Sequence, residues 1–139
     1  MFGAQSGTSY PYHTSKDSYL FACQYNPWSV VAKPTGSYFV GLFPSDQDLK
    51  NALASGPAVV LIDSTNSGSY SSGIFDGYCS DALIRDHYVL AVGWDVDQAS
   101  GTEYWIIRNS WGTSWGENGY MRVKIDGNCN IKLDSIAYF

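Results

Sequence analysis

Residues 86–120 read DHYVLAVGWDVDQASGTEYWIIRNSWGTSWGENGY, and the fold turns on them. His87 opens one apolar run that continues to Trp94. A polar link with Gly101 spans residues 95–102, and a second run over 103–107 ends at Asn109 and Ser110. Two β-rich runs around a polar, glycine-containing link predict an antiparallel hairpin. A fold at the middle of the link, near Gln98, lays the start of the first strand beside the end of the second and sets His87 opposite Asn109. Residues directly opposite share a face, with Cβ atoms about 4.5–5.5 Å apart. An imidazole beside a carboxamide is an orienting pair: the amide oxygen accepts from one ring N–H, fixes the tautomer and leaves the other nitrogen for a reactant.

Outward from the hairpin, the signals are mostly those of strands. Residues 1–36 are rich in turn formers, with Tyr10-Pro11-Tyr12, Asn26-Pro27 and Pro34-Thr35-Gly36, and predict a loop-rich lead-in with short extended pieces. Residues 37–43 (SYFVGLF) predict a strand from their aromatic and β-branched content. Ser45 and Asp48 have the spacing of a capping box before Leu49, Ala52 and Leu53, which predicts a short helix over 46–54 that Gly56-Pro57 stops. Residues 58–63 (AVVLID) predict a buried strand. Residues 119–125 alternate Tyr120, Arg122 and Lys124 with Met121, Val123 and Ile125, a strand with one wet face. Residues 135–139 predict a closing strand. The expected architecture is mainly β: an antiparallel, β-barrel-like domain with one short helix, residues 1–139 forming a single domain.

Composition narrows the function. With 139 residues, 45% of them hydrophobic and 16% aromatic, the chain builds a core and is not disordered. A net charge of −5 without a basic block argues against a nucleic-acid partner. The longest clean apolar run, residues 58–62, is far short of the roughly 20 residues of a membrane helix. His13 and His87 sit in unrelated segments, so no metal site and no cofactor are expected.

The string NSWGTSWGENGY, with HYVLAVGW upstream and SYPY near the start, resembles the C-terminal half of a papain-family, cathepsin L-like cysteine peptidase. The resemblance runs from about Ser9 to the end of the chain. It implies the right-hand, β-barrel-like domain of an α+β fold, and it implies that His87 and Asn109 complete a Cys–His–Asn site. Trp111 would shield the His–Asn contact from water and line the leaving-group side of a cleft. Trp105 and Trp115 read as core packing. On the substrate side, Leu61 falls on the wall of the main specificity pocket, Arg85 near its rim and Asp134 at its floor. An acidic floor would admit a basic side chain as well as an apolar one; the plain reading of Asp134 is a solvated surface carboxylate. Tyr88 follows the histidine where the family carries a small residue, and a phenol there would crowd the cleft. Asn130 replaces a glycine, a milder departure.

The cysteines carry two readings. By resemblance Cys79 and Cys129 form a disulfide, which would contribute roughly 4 kcal/mol in the chain-entropy account. Cys23 matches a family cysteine whose partner lies in the other half, so it is left unpaired here. The alternative is three reduced thiols packed as small hydrophobes. The family's nucleophile lies in a GSCW-like segment preceded by a glutamine of the oxyanion hole, and this sequence holds neither. Nothing around Cys23 resembles that segment.

The N-terminal MFGAQSGTSYPY lacks a basic region and an apolar region, so it is not expected to be a signal peptide. For a family that acts in lysosomes, vacuoles or outside cells, this leads to the expectation of a truncated chain, or of a cytoplasmic one or part of a larger assembly. Two functions follow. In the first, the chain supplies the His/Asn half of a cysteine endopeptidase and is inactive alone, its Cys-bearing half being a separate chain or a part missing from this sequence. In the second, it is a pseudo-peptidase that binds a protein or peptide across its exposed interdomain face.

Overall fold

Turn formers dominate the sequence of the first unit, Met1–Gly36. The structure is a computed structural model that describes residues 4–10, 23–41, 44–76, 86–125, 131 and 133–138. In this unit β1 (Ala4–Gln5) pairs antiparallel with β2 (Val30–Ala32). Between them, the Asn26 side chain accepts from the Trp28 amide at 3.0 Å and starts a single turn over Pro27–Ser29. The Asn26 amide itself donates to Gln5 Oε1 at 2.9 Å, tying the turn to β1. Cys23 lies exposed as a free thiol.

The second unit, Ser37–Phe139, is built on a sheet. Its strands are β3 (Ser37–Gly41), β4 (Ala58–Ile62), β5 (Ile74–Phe75), β6 (His87–Val96), β7 (Glu103–Arg108), β8 (Tyr120–Lys124) and β9 (Leu133–Tyr138). Among the described residues the spatial order is β3-β9-β4-β6-β7-β8-β5. Every ladder is antiparallel except β5 with β8, a two-residue parallel pairing that the sequence did not announce. The fold is mostly strands, and no ladder among the described residues joins β5 back to β3 to close a barrel. The expected strand over 37–43 is described as far as Gly41, and the closing strand begins at Leu133, two residues before its expected start.

Period-two alternation explains the two faces of this sheet. The pairs Val60–Val89, Ala58–Ala91, Ala91–Ile107, Ile107–Met121 and Trp105–Val123 stack one inner face, and all of these residues are buried. Each large aliphatic or aromatic side chain so buried contributes roughly 1.5–3 kcal/mol. The outer face carries a row across β4, β6, β7 and β8: Val59, Leu90, Arg108 and Tyr120.

Helix α1 (Asp46–Leu53) lays Leu49 and Ala52, three residues apart, into the same core. Its start is the capping box read from sequence: Ser45 Oγ accepts from the Asp48 amide at 3.2 Å, and Asp48 Oδ2 accepts from the Ser45 amide at 2.9 Å. The Ser45 hydroxyl and amide bonds hold the Asp48 carboxyl below its usual pKa. Replacing Ser45 with Ala is expected to lower stability by about 1 kcal/mol in urea denaturation. An unchanged midpoint would show that the cap contributes nothing to this helix.

Candidate active site

One extra residue in β6 decides which side chains meet. From the hairpin turn the ladder runs Val96–Glu103, Asp95–Tyr104, Trp94–Trp105 and Gly93–Ile106; it then shifts, and continues Ala91–Ile107 and Leu90–Arg108. Val92 is the residue passed over, a β-bulge. Without it, the first register would carry Asn109 across from Leu90, on the face opposite His87. With the shift, the extension of the ladder sets Asn109 across from Val89, and Val89 shares its face with His87 two residues away. The sequence reading put His87 directly opposite Asn109; the structure instead makes them diagonal neighbours on one face.

The contact is made at the side-chain tips. His87 Nε2 lies 2.8 Å from Asn109 Oδ1. The same oxygen accepts from the Ser110 amide at 2.7 Å. A backbone N–H only donates, so the Asn109 atom facing it is the oxygen, and Nε2 of His87 therefore carries a hydrogen. In the neutral ring the lone pair is then on Nδ1, which has no hydrogen-bond partner among the described residues. Asn109 is buried and His87 half-buried.

The loop after β7 holds Asn109 from behind. The Asn109 amide donates to the Gly119 carbonyl at 2.9 Å, and the Gly119 amide to the Trp115 carbonyl at 2.8 Å, so residues 109–119 close on themselves. The Trp111 indole stacks on the His87 ring with centroids 4.9 Å apart and planes 20° from parallel. Trp115 meets Trp111 edge-on at 5.2 Å and fixes its own N–H on the Ser67 carbonyl at 3.1 Å.

Other residues singled out in the sequence take different places. Tyr88 is 62% exposed on the outer face, across from the buried Leu61. An open cavity of about 470 Å³ lies there, lined in part by Val59, Tyr88, Leu90, Arg108 and Asn109. The phenol therefore borders a cavity that Val89, Asn109 and Ser110 also line. Asp134 lies in β9, directly after Leu133, which pairs with Leu61; its side chain lies outside the described residues, as do Arg85, Cys79 and Cys129. The structure also brings in Tyr70, which begins a stretch that resembles a family turn before its cysteine, and Glu117, which the sequence reading left aside. Glu117 sits inside the Trp-rich string, but nothing local in the sequence shows that its partners are Gly73 and Arg122.

Gly116 fixes the loop's path. Its φ is +56°, and a Cβ there would fall 2.6 Å from the Tyr120 carbonyl oxygen and 3.0 Å from Tyr70 Cδ1. Gly116→Ala is expected to cost about 1–3 kcal/mol and to disturb the near-UV signal of Trp111 and Trp115. Gly68→Ala, with open space around the new methyl, should stay within about 0.5 kcal/mol of the parent. Equal effects of the two in urea denaturation would refute this reading of the loop.

The chain matches the family described as papain family cysteine protease over residues 1–139. It is 42% identical over 124 residues to a cathepsin L-like proteinase of Fasciola hepatica, covering 88% of this chain and 36% of that protein. It is 38% identical over 139 residues to cathepsin L of Sarcophaga peregrina, covering 96% of this chain and 39% of that protein. Among solved structures, the bromelain protease from Ananas comosus in complex with the E64 inhibitor superposes with a TM-score of 0.79 at 32% identity, covering 99% of this chain and 63% of the other. The chain thus spans less than half the length of these curated relatives. On this evidence the chain belongs to the papain family of cysteine proteases.

Proposed function

We propose that this domain supplies the His/Asn half of a peptide-bond-cleaving Cys–His–Asn site whose thiolate comes from a Cys-bearing segment outside these 139 residues. The observation that carries the reading is the 2.8 Å contact of His87 Nε2 with an Asn109 oxygen pinned by Ser110. That contact leaves Nδ1 as the atom to exchange a proton with a thiol. In the reaction, Nδ1 takes the thiol proton, the thiolate attacks the scissile carbonyl, and the imidazolium returns a proton to the leaving amine. Water then releases the acyl group with His87 as base. Asn109 holds the ring through both steps, and Trp111 covers one face of it.

No GSCW-like segment with its glutamine occurs in the 139 residues, so the nucleophile lies outside these residues. Without a thiolate there is no acyl-enzyme route, and the domain alone is inactive. The outer-face row of Val59, Leu90, Arg108 and Tyr120 beside the exposed Tyr88 lies away from the face that carries His87 and Asn109, where the thiolate must arrive. Leu61, Tyr88, Arg85 and Asp134 would border the substrate side chain, with a cystine between Cys79 and Cys129 and an oxidising lysosomal, vacuolar or extracellular setting. The same exposed Tyr88 favours a second reading, a peptidase-derived binding module that uses this face without chemistry.

A thiol-directed peptidyl probe separates the two readings. The 139-residue chain alone is expected to take no adduct. Material isolated from its native source should take one on a Cys-bearing segment outside these residues, and His87→Ala should slow that labelling by about 10²–10⁴-fold. Native material that consists of this chain only and stays unlabelled would favour the binding module. A His87-dependent adduct on Cys23 would overturn the claim that the nucleophile comes from outside.

A further inference from the structure

Behind the His87 ring, side chains run in an unbroken line to a carboxylate that takes no part in the proposed chemistry. Trp111 stacks on His87, Trp115 meets Trp111 edge-on, and the Tyr70 ring lies 5.6 Å from Trp115. The Tyr70 hydroxyl donates to the Gly73 carbonyl at 2.6 Å and accepts from the Arg122 amide at 3.3 Å. Gly73 then donates its own amide to Glu117 Oε1 at 2.9 Å. Arg122 grips the same carboxylate twice, Nε to Oε2 at 2.9 Å and Nη2 to Oε1 at 2.6 Å. Glu117 belongs to the loop that carries Trp111 and Trp115, and its backbone exchanges two hydrogen bonds with Tyr120 at the start of β8. One carboxylate thus joins the 109–119 loop, the turn before β5 and strand β8.

The geometry points to Glu117 as a positioning residue for His87: by fastening this loop at its far end, it holds the Trp111 indole flat against the imidazole. A bidentate guanidinium and an amide N–H leave the carboxylate few other arrangements, which distinguishes it from a loosely paired surface acid. Consistently, the Arg122 hydrogen bonds depress the Glu117 pKa, and the same contact raises that of Arg122. The inference goes beyond the peptidase reading and does not depend on it, because what Glu117 positions is a ring stack within this chain.

The competing reading is an ion pair that adds a little general stability and nothing else. The two differ in what the His87 ring senses. In the parent, the stacked indole should shift the carbon-bound His87 protons upfield in the NMR spectrum. Glu117→Gln keeps the shape and removes the charge; it is expected to lose at least half of that upfield shift and to speed solvent exchange of the Nε2 hydrogen by about tenfold or more. Glu117→Asp, which keeps the charge, should recover part of both. Lys50→Met removes the Lys50–Glu103 ion pair of 2.7 Å at the other end of the hairpin, and should leave the His87 signals in place. Should Glu117→Gln fail to fold, Arg122→Gln removes the other half of the pair and is expected to give the same loss. His87 signals that stay unmoved in the folded variant, or that move equally in Lys50→Met, would overturn the proposal.

Discussion

A single unpaired residue in a strand governs this site. Because side chains alternate with period two, shifting a register by one residue exchanges the two faces of the strand. The register nearest the hairpin turn would send Asn109 to the outer face with Leu90, and the bulge at Val92 returns it to the inner face with His87. The rest of the site is support for that meeting. Ser110 turns the carboxamide oxygen toward the ring, Gly119 anchors the Asn109 backbone, and Trp111 covers the imidazole. None of these contacts could form with the two residues on opposite faces.

The bulge sits where the sheet can bear it. Toward the turn, Trp94 is braced by Lys50, whose ammonium lies 4.2 Å from the indole centroid and is paired with Glu103. On the far side, Ala91 and Val89 pack with Ile107, Val60 and Met121 in the core. The strand is therefore held on both sides of its irregular point, and the end that carries His87 is placed by packing. A ring placed in this way needs little reorganisation when a reactant arrives.

The longer strands, the helix and the pairing of His87 with Asn109 were legible in the sequence, for different reasons. The helix announced itself through Ser45 and Asp48, whose side chains cap locally. Strands β4 and β8 announced themselves through continuous and alternating apolar runs. The His–Asn pairing was legible because folding the link near Gln98 differs from the true register by an even number of residues, which preserves the face. Val92 itself was not legible: an apolar residue in an apolar run carries no mark of being skipped. The Glu117 clamp was hidden for a related reason, since its partner Gly73 is 44 positions away and contributes only a backbone N–H. The parallel pairing of β5 with β8 rests on two residues, too short a run to carry a period.

The account stands or falls on the direction of the hydrogen bond between His87 and Asn109. Long-range nitrogen–proton correlation on the neutral His87 ring, in the intact 139-residue chain, reads it directly. The account predicts hydrogen on Nε2, slowed in exchange by the buried amide oxygen, and a bare Nδ1. A ring with its hydrogen on Nδ1, or one that interconverts freely between the two forms, would mean that Asn109 does not orient it.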